Sequence, residues 1–104
     1  MDTTHFPEKL LPPDVLKDVL TMKKILQNHG ARKIILYGSM ARGDFTSVSD
    51  IDLCVEGLPD RDYFRALAEC LMLSNRRISI IDLNQASGYF RENILREGKV
   101  IHES

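Results

Sequence analysis

The chain has 104 residues, with 14 Lys and Arg against 15 Asp and Glu, a formal net charge of -1 and a composition that is 43% hydrophobic. That length suits one domain around one core. The near-neutral balance argues against direct nucleic-acid binding through a basic face, and no apolar run is long enough to span a bilayer. Cys54 and Cys70 sit in apolar stretches with no Cys-x-x-Cys pair, so a reduced, cytoplasmic chain is expected rather than a disulfide scaffold.

Residues 1–12 read as an irregular lead-in to a single domain spanning 1–104. Pro13 suits the first turn of a helix, where its missing N–H costs nothing. Val15, Val19, Met22 and Leu26 then recur at helical spacing, with Leu16 and Leu20 alongside, and Gly30 is a C-terminal stop. Lys33–Tyr37, "KIILY", is a short β-branched run before Gly38 and predicts a buried strand. "SMARGD" has room for one or two helical turns. "SDIDLCVEG" alternates with period two and predicts a second strand. Asp60 reads as an N-cap, followed by an apolar stripe of Phe64, Leu67, Ala68, Leu71 and Met72. Arg77–Leu83, "RISIIDL", predicts a third strand. Ser87 caps a last helix carrying Phe90, Ile94 and Leu95, and "KVIHE" is an edge strand. The order α-β-α-β-α-β-α-β describes a small α/β (α+β) domain with one sheet and helices packed on it.

Two acids interrupt the second strand. Side chains at i and i+2 share a face, so Asp50 and Asp52 lie together while Ile51 and Leu53 serve the core. Two such carboxylates repel unless a cation sits between them. Mg²⁺ suits this arrangement, because it takes a few carboxylates plus phosphate oxygens and water. Asp82, at the end of the third strand, completes a three-carboxylate cluster if that strand lies beside "DIDL"; taken alone it reads equally as a strand-end cap. Upstream, Gly38 lets the backbone turn sharply after a buried strand. Ser39 offers a hydroxyl and an N–H where a phosphate could sit. Arg42 either contacts a phosphate or pairs with Asp44.

The spacing Gly-Ser-x10-Asp-x-Asp resembles the signature of the DNA polymerase beta-like nucleotidyltransferase superfamily. More narrowly, "LYGSMARGDFTSVSDIDLCV" is similar to the minimal nucleotidyltransferases (MNT) of prokaryotes. The resemblance implies the nucleotidyltransferase fold, a small mixed sheet flanked by helices. It implies transfer of AMP from ATP to a hydroxyl, with two Mg²⁺ ions. The metal-binding and catalytic roles would fall on Asp50, Asp52 and Asp82, with Asp82 on the acceptor side. The triphosphate would fall on Gly38 and Ser39, with Arg42 as a further nucleotide-binding candidate. Larger relatives append a domain that grips the acceptor, and 104 residues leave no room for one. The resemblance therefore implies an antitoxin that modifies a tyrosine of a partner HEPN-domain toxin, alone or in an oligomer with it. Two alternatives stand beside it: inhibition of the partner by occlusion without catalysis, and transfer to a small hydroxylated molecule.

Overall fold

A computed structural model describes residues 11–73 and 76–104. Most of the expected lead-in, residues 1–10, lies outside the described residues. The elements follow in the order α1 (Pro13–Asn28), β1 (Lys33–Tyr37), α2 (Ser39–Arg42), β2 (Ile51–Glu56), α3 (Asp60–Leu73), β3 (Ile78–Asp82), a 3₁₀ turn (Leu83–Gln85), α4 (Gly88–Glu97) and β4 (Lys99–Glu103). The four strands form one sheet in the order β3-β2-β1-β4. β1 runs antiparallel to β2 and β4, and β2 runs parallel to β3. The sheet is therefore mixed, and "KVIHE" lies at an edge as its sequence predicts.

Period-two alternation divides the strands between two faces. On one face Ile34, Leu36, Ile51, Leu53, Val55, Ile80 and Ile101 meet Val15, Val19, Met22 and Leu26 of α1 and Ala66 and Cys70 of α3. On the other face Ile35, Cys54, Leu83, Ala86 and Ile94 form a smaller cluster under α4 and the 3₁₀ turn. The first face carries most of the buried apolar area and hence most of the hydrophobic stabilisation.

α1 keeps its predicted stripe: Val15, Val19, Met22 and Leu26 are all buried. α3 does not. Its buried residues are Ala66 and Cys70, whereas Phe64 and Met72 are 75% and 87% exposed and Leu71 also faces out. The helix is apolar on more than one side, and the side with the small residues is the one seated on the sheet and α1. Small side chains bring the helix axis close, and packing density favours that seam. Asp60 is the first helical residue of α3 and not the residue before it. In α4 only Ile94 of the three predicted apolar positions is buried; Phe90 and Leu95 are about half exposed. Among the described residues no helix is long and apolar enough to cross a membrane.

This packing predicts a sharp asymmetry in urea unfolding. Leu26→Ala is expected to cost about 2–5 kcal/mol, the range for a truncated core leucine. Phe64→Ala and Met72→Ala are each expected to stay within about 0.5 kcal/mol, as surface changes do. A large loss from either of the latter would restore the outward stripe to the core.

Candidate active site

β1 ends at Tyr37, and the chain turns through Gly38 (φ 73°, ψ -155°) into α2. That backbone region is essentially closed to residues with a Cβ. The turn is also crowded: a Cβ on Gly38 would lie 2.4 Å from Oδ2 of Asp52. Register explains the approach. Tyr37 pairs with Asp52 across β1 and β2, so the residue after Tyr37 passes beside the Asp52 side chain. Ser39 opens α2, and its carbonyl accepts from the N–H of Gly43 at 2.9 Å. The N–H groups of Ala41 and Arg42 donate to the Gly38 carbonyl at 3.1 Å, and the N–H groups ahead of them, at Ser39 and Met40, have no acceptor within the turn. Together with the Ser39 hydroxyl they form a donor set beside a carboxylate.

Asp50 lies just before β2, and Asp52 is the second residue of the strand. Ile51 and Leu53 are fully buried beneath them, as the alternation requires. The two acids feel one another. The Asp52 carboxyl is held above the ordinary carboxylate range, first by burial and then by the negative charge of Asp50; the Arg42 guanidinium partly offsets this. Arg42 itself pairs with Asp44 at 3.3 Å and with Glu97 at 3.7 Å. The surface-pairing alternative is thus realised in this structure, with the cation still close enough to act on Asp52.

The third carboxylate is not where the sequence places it. β3 does lie beside β2, but its register sets Asp52 opposite Ser79 and Val55 opposite Asp82. Asp82 is three residues farther along the strand, about 10 Å at the usual rise. Its carboxylate accepts from the N–H of Asn84 at 2.9 Å and caps the 3₁₀ turn. The strand-end cap is the role it plays here. Among the described residues no group of three or more His, Cys, Asp or Glu is arranged to hold a metal ion.

The row that flanks Asp52 is Tyr37 on β1 and Ser79 on β3. Tyr37 is half-buried, packs edge-on against Phe90 with ring centres 6.0 Å apart, and shares a side-chain hydrogen bond with Ser79. Burial raises the Tyr37 phenol above its usual value; the bond to Ser79 opposes the rise, and the Asp52 charge adds to it. Ser79 escaped the sequence reading because a lone strand serine carries no chemical signal until its neighbour across the sheet is known. The thiols offer no nucleophile: burial pushes Cys54 and Cys70 each up to about 12.

The chemistry of these groups suits a divalent cation: Asp52, already penalised for its charge, stands against a turn kept open by the lack of a Cβ, and the Asp50 carboxylate is near enough to act on it. Residues 21–104 match the polymerase beta nucleotidyltransferase family. The chain belongs to that family. It is 34% identical, over 84% of its length and 94% of the relative's, to a Methanocaldococcus jannaschii protein provisionally named a protein adenylyltransferase. It also resembles a solved structure provisionally described as a minimal nucleotidyltransferase, with 26% identity, a TM-score of 0.68, and 85% and 94% of the two chains covered. A toxin–antitoxin structure with AMP-PNP shares the fold at a TM-score of 0.68, 20% identity, and 85% and 73% coverage. The protein is thus a nucleotidyltransferase with a mixed four-stranded sheet, as its sequence motif implies.

Two outcomes follow from this geometry. Gly38→Ala forces a Cβ against Asp52 in a left-handed backbone and is expected to cost about 1–3 kcal/mol in denaturant unfolding. For Asp52, a raised native pKa means that the native state holds the proton more tightly than the unfolded chain. Without a divalent cation, its contribution to stability declines as pH rises from the ordinary carboxyl range to the native pKa, and it stays lost above that. Asp52→Asn is therefore expected to melt higher than the wild type at pH 7, with the gap closing below about pH 4. Calorimetric melting of both proteins across this range checks the sign.

Proposed function

We propose that this nucleotidyltransferase moves AMP from ATP to a hydroxyl of a partner protein, using Mg²⁺ held by Asp50 and Asp52. The observation that carries the reading is the Asp52 carboxylate packed against the Gly38 turn, beside the donors of Ser39. In this reading the Gly38–Ser39 turn receives the β- and γ-phosphates. Backbone donors at such a turn suit phosphate oxygens. Arg42 stands at the rim, where exchange of Asp44 or Glu97 for a phosphate oxygen would bring its charge to the nucleotide. A bound divalent cation would neutralise the triphosphate and the departing pyrophosphate. The remaining work of the chain is to position the α-phosphorus for in-line attack.

A protein acceptor is supported by the archaeal relative's name, and an antitoxin role by the toxin–antitoxin structure that shares the fold. The more specific acceptor, a tyrosine of a HEPN-domain toxin, rests on the MNT resemblance. A cytoplasmic setting agrees with two free, buried cysteines. A second reading, inhibition by occlusion, draws on the apolar side chains that α3 leaves exposed: Phe64, Leu71, Met72 and Leu73.

Titration calorimetry is expected to show tight ATP binding with Mg²⁺ or Mn²⁺ and little in EDTA. Asp50→Asn and Asp52→Asn are expected to keep the fold and to lose label transfer from [α-³²P]ATP to the partner by about 100-fold or more, the scale set by removing an electrostatic stabiliser. Asp82→Asn is expected to leave both ATP binding and transfer unchanged. An Asp52→Asn protein that has lost transfer and still silences its partner would favour occlusion, whereas full transfer by it would overturn the role given to Asp52.

A further inference from the structure

We propose that this chain on its own holds one divalent cation with its nucleotide, not two, and that Ser79 is the residue that sets the number. The proposal rests on the nucleotidyltransferase site described above and concerns its metal stoichiometry.

A pair of Mg²⁺ ions needs anionic oxygens on both sides, because Mg²⁺ binds through carboxylates and phosphates and sheds water reluctantly. Asp50 and Asp52 supply two negative charges, enough for one such ion. A second ion beside Asp52 needs a further carboxylate in the same row of the sheet. That row is settled by register: Tyr37 on one side and Ser79 on the other. Both carry hydroxyls, and the two share a hydrogen bond. The nearest acid on β3 is Asp82, three residues on, opposite Val55 and occupied in capping Asn84. The charge that does reach Asp52 from α2 is the Arg42 cation, which repels a second metal ion. The acceptor hydroxyl therefore meets a serine of this chain where a third carboxylate would stand, and a group able to take its proton has to come with the acceptor.

The test counts ions. The full chain is saturated with AMP-PNP and titrated with Mn²⁺, and bound Mn²⁺ is read by electron paramagnetic resonance. One Mn²⁺ per chain–nucleotide complex is expected for the wild type and for Ser79→Ala. Ser79→Asp, which restores a carboxylate opposite Asp52, is expected to bind a second Mn²⁺ at least ten-fold more tightly than the wild type does. Two ions of similar affinity in the wild type would overturn the proposal, whether or not Ser79→Asp folds. Loss of the single ion in Ser79→Ala would overturn it as well, by making the hydroxyl a ligand. A wild type that binds nucleotide but no Mn²⁺ would instead sink the Asp50–Asp52 metal site on which the proposal stands.

Discussion

The contact between the Gly38 backbone and the Asp52 carboxylate is the constraint on which the site depends. It exists because β1 and β2 pair so that Tyr37 faces Asp52, and because the next residue has no Cβ to fill the gap. Any side chain at position 38 would push Asp52 away and strain a backbone at φ 73°. The turn and the acid are thus one unit, although thirteen residues separate them in the chain. This is why a glycine after one strand and an aspartate in the next carry more information together than either does alone.

The sheet's unequal cover lets a charged row exist on a core strand. One face is sealed by α1 and α3 over a large apolar cluster, and the other by a short helix and a 3₁₀ turn over five buried residues. Ile51, Leu53 and Val55 anchor β2 to the sealed face. Asp52 then rises from the lightly covered face, at the end of the sheet where Tyr37 closes β1. Burial there is partial, and together with the negative charge of Asp50 it holds the carboxyl above its usual range. The cost of that charge is offset by the apolar packing on the far side of the same strand.

Most of the fold was legible, because strong periodicity and glycine punctuation agree. β1 runs over Lys33–Tyr37 as predicted, and the four buried positions of α1 follow its heptad-like stripe. α3 misled, because its sequence is apolar on two sides. A pattern reports which faces are able to pack, and the partner helix and sheet decide which one does. Ala66 and Cys70 won over Phe64 and Met72 since close approach gains more contacts than large side chains held at a distance. In the candidate site, the closeness of the Gly38 turn to Asp52 was legible from spacing along adjoining elements. Asp82 and Ser79 were not, since they belong to a strand whose register against β2 no local spacing encodes.

That register carries a chemical consequence. A shift of one residue in a strand turns each side chain to the other face. Asp82 lies an odd number of residues from Ser79, so no sliding of β3 by a whole pleat brings it into the row of Asp52. Only a shift by three residues would do so, and it would move Ile80 out of the core into which it is packed. Hydrophobic burial on the sealed face therefore locks a hydroxyl, not a carboxylate, opposite Asp52. The position of Ser79 opposite Asp52 is thus held by the core and not by the polar row itself.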